Sequence, residues 1–132
     1  MPSIFTRIIN GEIPCYKIAE TEDYLAFLDI NPLMKGHTLC IPKKEIDYIF
    51  DLDDETISGL MVFSKKVAKA IKEVIPCNRV GVTVVGDEVP HAHIHLIPFN
   101  TVHDMMFGKS RVKLSKEEFA EIADKISEKV EI

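Results

Sequence analysis

Histidine holds alternate positions 91, 93 and 95 in the stretch VPHAHIHLIP, which runs from Val89 to Pro98. In an extended strand successive side chains point to opposite faces, so this spacing puts three imidazoles on one face. Ala92, Ile94 and Leu96 fall on the other, toward a core. Two residues of rise, at roughly 3.3 Å each, separate neighbouring rings by about 6.5 Å. One tetrahedral phosphate can touch the central ring and both flanking ones across that span. A neutral imidazole nitrogen is nucleophilic near pH 7, and the protonated ring donates hydrogen bonds to anionic oxygens. A central His93 can attack phosphorus and form a phosphorus–nitrogen bond, which divides one hard displacement into two easier ones. His91 and His95 then hold charge and move protons. Alternating strand histidines also present two ligands to zinc or another transition metal, with His37, His103 or a carboxylate as a further ligand. The residues alone leave phosphorus chemistry and a metal site both open. A purely structural role fits less well, because three imidazoles on one face are costly in a core and unneeded on a solvated surface.

The elements that must position these rings are legible from periodicity. Phe5, Ile8 and Ile9 recur at helical spacing before Asn10 and Gly11 stop them. Tyr24 to Ile30 (YLAFLDI) reads as a strand ending at the turn signal Asn31-Pro32, and His37 to Pro42 (HTLCIP) reads as the next. Asp53 or Asp54 caps a long helix whose apolar face is Ile57, Leu60, Met61, Ser64, Val67, Ala68 and Ile71, ending before Pro76. Arg79 to Gly86 is a β-branched strand, and His91 to Pro98 is the strand that carries the histidines. Ser115 and Glu118 form a capping box for a last helix along Phe119, Ile122, Ala123, Ile126 and Val130. Strands joined mostly by turns, with helices grouped around them, imply an α+β domain on an antiparallel sheet.

The 132 residues contain no repeat or linker, so residues 1–132 are expected to form one domain. Nearly half the residues are apolar and the net charge is −5, the balance of an ordinary globular protein. That charge disfavours a broad nucleic-acid surface. No apolar run has bilayer length, and the first residues lack the basic-then-apolar pattern of a signal peptide, so a cytoplasmic location without membrane contact is expected. Cys15, Cys40 and Cys77 are odd in number and never form a Cys-x-x-Cys pair, which fits reduced thiols.

HAHIHLI resembles the His-x-His-x-His-x-x signature, with apolar x, of the histidine triad (HIT) family. Two further blocks agree in the family order, IFTRIINGEIPCYKI and LAFLDINPLMKGHTLCIPKK. The resemblance is strongest over residues 3–99 and leaves 100–132 as a tail with its own helix. It implies a HIT-like fold and action on the α-phosphate of a nucleotide. It gives His93 the nucleophile's role, with the other ring nitrogen held by a backbone carbonyl, and makes His91 and His95 phosphate-positioning and leaving-group residues. His37, in GHTLCIP, matches a fourth histidine of the motif. Asp29 matches the acceptor of ribose hydroxyls, and Ile4, Phe5, Ile8, Phe27 and Ile30 match the slot for a purine base. The resemblance further implies a homodimer. The expected reaction cleaves a nucleoside monophosphate from an amine, as in the phosphoramidase branch. A dinucleoside polyphosphate hydrolase and a slow nucleotide-binding or regulatory module are the alternatives.

Two departures from the family pattern matter, and the tail outside the resemblance carries a feature of its own. Many bacterial members hold structural zinc through an opening Cys-x-x-Cys pair and a histidine after the two lysines. Here those positions are Ser3, Thr6 and Glu45, so no structural zinc and no other cofactor are expected. Before the triad, where other branches carry a glycine-rich loop, this chain has Asp87 and Glu88, two carboxylates that repel a polyanion if they face it. The tail carries Lys109, Arg111 and Lys113. These read first as a solvated loop, and otherwise as a contact with substrate phosphates or a partner subunit.

Overall fold

The computed structural model describes residues 2–132. In chain order it has α1 (Ile4–Ile9), β1 (Lys17–Glu20), β2 (Tyr24–Leu28), β3 (Thr38–Pro42), α2 (Asp54–Val74), β4 (Arg79–Thr83), β5 (Ile94–Phe99) and α3 (Lys116–Lys129). Short 3-10 turns lie at Ile49–Asp51 and Val102–Met105. The five strands form one antiparallel sheet in the order β1-β2-β3-β5-β4. The protein is therefore an α+β fold with one long helix on the sheet and shorter helices at its two ends.

The caps follow the sequence signals. Ser3, Asp53 and Ser115 each accept the backbone N–H three residues on, from Thr6, Thr56 and Glu118, and Glu118 completes a capping box with Ser115. The α2 face against the sheet is Leu60, Phe63, Ser64, Val67, Ala70 and Ile71. Met61, expected on that face, is exposed, because the buried stripe turns toward Phe63 and Ala70 at i+3 and i+10 from Leu60.

Strand alternation divides the interior into two layers. Ala26, Leu28, Cys40, Ile94 and Leu96 pack beneath α2 and α3 in the larger core. Leu25, Phe27, Leu39 and Ile41 form the second layer with Phe5 of α1. His95 pairs with Leu39 across β3 and with Thr83 across β4, so it belongs to that second face. Ala92, Ile94 and Leu96 are buried in the larger core, as the alternation requires.

The histidine strand begins later than the sequence suggests. The alternation predicts a strand from His91, yet the ladder starts at Ile94. The Pro42 carbonyl, at the end of β3, accepts from the His91 ring Nε2 at 2.8 Å, and the Ala92 amide donates to the Ile46 carbonyl at 2.7 Å. His91 and His93 consequently lie in a bent lead-in to β5. For the same reason β4 stops at Thr83 opposite His95, and Val84 and Val85, read as strand, run on exposed. The four-residue β1 carries no sequence signal of its own, since Lys17 and Glu20 flank only two buried residues. Pairing with β2 and packing against α3 hold it in place. Gly36, at φ +94° in the left-handed region, makes the turn that delivers His37 to the sheet.

Candidate active site

A cavity of about 430 Å³ opens on the second face of the sheet, and His93 and His95 lie in its wall. His93 Nδ1 sits 2.7 Å from the His91 carbonyl oxygen. A carbonyl only accepts, so Nδ1 carries the proton and the neutral ring keeps its lone pair on Nε2. Phe5 presents itself edge-on to the His93 ring, at a centroid distance of 5.0 Å and 87°.

His95 is held by a second histidine. The Leu33 amide donates to His37 Nδ1 at 3.0 Å, so His37 carries its proton on Nε2. That proton is shared with His95 Nδ1 at 3.0 Å, and the remaining Nε2–H of His95 is free for a ligand. Burial, then the charge of neighbouring rings and cations, lowers His37 to about 3; the same causes lower His95 to about 4. Both rings are therefore neutral at physiological pH. Adding a proton to the pair requires breaking either the Leu33 bond or the bond between the rings.

Asp29 serves two purposes. Oδ1 accepts the Asn31 amide at 2.8 Å, closing the turn after β2. Oδ2 stands 3.6 Å from His37 Nε2, and the residue lines the cavity. Burial raises the Asp29 carboxyl, only partly opposed by the Asn31 hydrogen bond and by Arg111. Ile4, Phe5, Ile8 and Phe27 form an apolar end of the cavity, while Ile30 lines it from an exposed position.

His91 departs from its expected place. The strand spacing puts it beside the other two rings, but it is fully buried and absent from the cavity wall. Its Nε2 donates to the Pro42 carbonyl at 2.8 Å, and its Nδ1 accepts the Ser3 hydroxyl at 2.9 Å. Both nitrogens are engaged in the fold, and it is the His91 carbonyl oxygen that meets the His93 ring. The bent lead-in to β5 is the physical reason, and it also brings the remaining rings closer than a regular strand would: His93 and His95 centroids are 4.9 Å apart.

Ser3, Thr6 and Glu45 meet around His91. Glu45 Oε1 accepts the Thr6 hydroxyl at 2.6 Å and the Ser3 amide, and Ser3 Oγ accepts the Thr6 amide at 3.0 Å. These donors do not fit zinc: two neutral hydroxyls replace thiolates, and each oxygen is already satisfied by its neighbours. The cluster ties α1 to the sheet instead. Asp29, His37 and His95 also offer ligand atoms within 4.8 Å of one another. A metal among them would have to displace the hydrogen that joins the two rings. His103 lies exposed in the second 3-10 turn, away from the cavity wall.

Sequence reasoning missed Phe107 and undervalued Arg111. The tail folds back over the site: the Val112 amide donates to Pro32 O at 2.9 Å, and Lys109 Nζ donates to Leu33 O. Phe107 meets His95 edge-on at 5.0 Å, and Arg111 stacks over Phe107 at 5.6 Å. The apolar run Met105-Met106-Phe107 before Gly108 was the one available signal. Asp87 and Glu88 both line the cavity from its exposed rim.

Two expected outcomes follow from these contacts. Unfolded imidazoles titrate near 6.5, above both folded values, so the unfolded chain binds more protons as the pH falls below about 6.5. The stability present above that pH is lost progressively toward pH 4. Urea midpoints measured from pH 7.5 to 4.5 are expected to fall more steeply in the wild type than in His37→Gln. Ser3→Ala leaves the buried Nδ1 of His91 without its donor, and the same measurement at pH 7.5 should register a loss of about 1–3 kcal/mol.

The HIT domain family model matches residues 10–102. The chain is 38% identical to the adenosine 5'-monophosphoramidase of Schizosaccharomyces pombe, over 98% of this chain and 99% of the relative. It is 36% identical to an uncharacterised HIT-like protein of Borreliella burgdorferi, over 94% and 95%. Among solved structures, a HIT-like protein involved in cell-cycle regulation from Bartonella henselae superposes with a TM-score of 0.81 at 34% identity, covering 96% of this chain and 95% of the other. A zinc-bound histidine triad family protein from Mycobacterium smegmatis superposes with a TM-score of 0.80 at 26% identity, covering 95% and 93%. With the motif, the sheet order and these matches in agreement, the chain belongs to the histidine triad family.

Proposed function

We propose that this protein is a nucleotide hydrolase that cleaves a purine nucleoside monophosphate from a leaving group on its α-phosphate, through a nucleotidyl-His93 intermediate. The observation that carries this reading is the Nδ1 hydrogen bond of His93 to the His91 carbonyl, which leaves Nε2 as the lone-pair nitrogen in the cavity wall. In the first step a bond forms between Nε2 and phosphorus while the bond to the leaving group breaks, the leaving group departing with the electron pair. Water then attacks phosphorus as the phosphorus–nitrogen bond breaks, which releases the nucleoside monophosphate, returns the lone pair to Nε2 and passes the water's proton to solvent. His95 donates its Nε2–H to the phosphate or the leaving atom, and His37 fixes the orientation of His95. The apolar end beside Phe5 and Phe27 receives the base, and Asp29 receives the ribose hydroxyls. An amine leaving group is favoured by relatives named adenosine 5'-monophosphoramidase in two yeasts, S. pombe and Saccharomyces cerevisiae.

We read the enzyme as working without a resident metal or other cofactor, on the ground that the Ser3, Thr6 and Glu45 oxygens satisfy one another. Elemental analysis of the purified protein is expected to find no stoichiometric zinc. We assign it to a reducing cytoplasm, which suits the three free thiols. Among the described residues no helix is long and apolar enough to cross a membrane.

The protein is further proposed to act as a homodimer. β4 is an edge strand, and Tyr48, Phe50, Met61, Val82, Val84 and Val85 expose apolar surface around it. A second copy would cover both the surface and the unpaired edge. Sedimentation of the wild type is expected to give about twice the mass of the chain, and Val82→Lys to shift the population toward monomer.

Adenosine 5'-phosphoramidate and a dinucleoside triphosphate test the chemistry. Acid-quenched mass spectrometry during turnover should find the nucleotide on the peptide containing His93, and His93→Ala should lower kcat by at least about 10³-fold. Binding without turnover in the wild type would favour the regulatory module, and turnover surviving His93→Ala would reject the nucleophile.

A further inference from the structure

Three consecutive backbone carbonyls after β2 each accept a hydrogen bond from the tail. The Arg111 guanidinium donates to Asn31 O at 3.0 Å, the Val112 amide to Pro32 O at 2.9 Å, and Lys109 Nζ to Leu33 O. These carbonyls lie in the loop between Asp29, just after β2, and His37, just before β3. The tail residues that grip them lie beyond residue 102, where the family model ends.

The middle bond of the three runs on into the site. Pro32 O and the Leu33 amide belong to one planar peptide group, and that amide donates to His37 Nδ1 at 3.0 Å. His37 passes the pattern on from Nε2 to His95 Nδ1, also at 3.0 Å, which leaves Nε2–H of His95 for a ligand. Val112, the Pro32–Leu33 peptide, His37 and His95 therefore form a single chain of donors, all pointing from the tail to the cavity. Each accepted bond polarises the group that receives it and strengthens the bond that group donates. The chain also fixes direction. A peptide held at its oxygen cannot swing, so its N–H stays on His37 Nδ1 and His37 stays the Nε2–H tautomer. Leu33 and His37 are fully buried, so solvent does not compete for these bonds. Val112 itself does not line the cavity, and Arg111 and Lys109 clamp the carbonyls on either side of Pro32.

We propose that Val112 is a positioning residue: its backbone amide starts the hydrogen-bond chain that aims the Nε2–H of His95 at the substrate, so that the tail acts on turnover through His37 and His95. The part it plays in turnover rests on the nucleotide hydrolase reading above.

Val112→Pro deletes the amide, and Val112→Ala keeps it. In isotope-labelled full-length protein, the ring-nitrogen NMR signals of His37 and His95 report their tautomers, and the His37 Nε2–H proton reports the bond to His95. The wild type is expected to show both rings as Nε2–H tautomers with that proton well downfield. Val112→Pro should move the proton upfield and admit the Nδ1–H tautomer at His95. With adenosine 5'-phosphoramidate it should lower kcat by about 10-fold and change KM by less than about 3-fold. Val112→Ala should match the wild type in every respect. If the proline variant does not fold, a chain with the α-hydroxy acid analogue of valine at position 112, in which oxygen replaces only the N–H, takes its place. Histidine signals that stay put in the folded variant, signals that move while kcat does not, or equal losses in Val112→Ala would each overturn the proposal. A wild type that does not turn over nucleotide would sink the hydrolase reading and leave the NMR comparison standing, so the two failures are told apart.

Discussion

The hydrogen bond from Nδ1 of His93 to the carbonyl oxygen of His91 is the contact on which the site depends. It sets which nitrogen carries the proton and which way the ring faces. It exists because the chain leaves regular strand geometry at residues 91–93, where the Ala92 amide turns to Ile46 and the His91 ring is anchored to Pro42 and Ser3. The irregularity that shortens β5 thus sets the His93 tautomer and turns its Nε2 to the cavity wall. Ser3, Thr6 and Glu45 extend this control to α1, so the helix that brings Phe5 against His93 is fastened by the same cluster that fastens His91.

Burial gives the other two rings a different character. His37 is out of contact with solvent, and its nitrogens are matched to the Leu33 amide and to His95. The pair is a rigid, neutral hydrogen-bond donor with its one free N–H at the cavity. Positive charge is accordingly left to Arg111, which reaches the site from the far end of the chain and is steadied by backbone carbonyls and by Phe107.

Much of this was legible beforehand for local reasons. Periods of two and 3.6, the Ser and Asp caps, and the Gly and Pro stops depend on neighbours in sequence, and they located α1, α2, α3 and four of the five strands closely enough to place the motif. The burial of Ala92, Ile94 and Leu96 followed from alternation. β1 did not, because four residues with charged ends form a strand only when β2 and α3 are already there to pair and pack. Met61 was misplaced because helical spacing defines a stripe without saying which edge of it meets the sheet.

The candidate site divides along the same line. The sequence by itself determined the family, the order of the elements and the identities of His37, His91, His93 and His95, since these reside in residue types and their spacing. Only the tertiary structure decided that His91 faces inward and presents its carbonyl to His93, that Ser3 and Glu45, 42 positions apart, share a hydrogen bond, and that Phe107 and Arg111 line the cavity. Those outcomes depend on contacts between segments distant in the chain, and on the direction a backbone takes once the Pro42 carbonyl holds the His91 ring and the Ala92 amide turns to Ile46, neither of which a local pattern records.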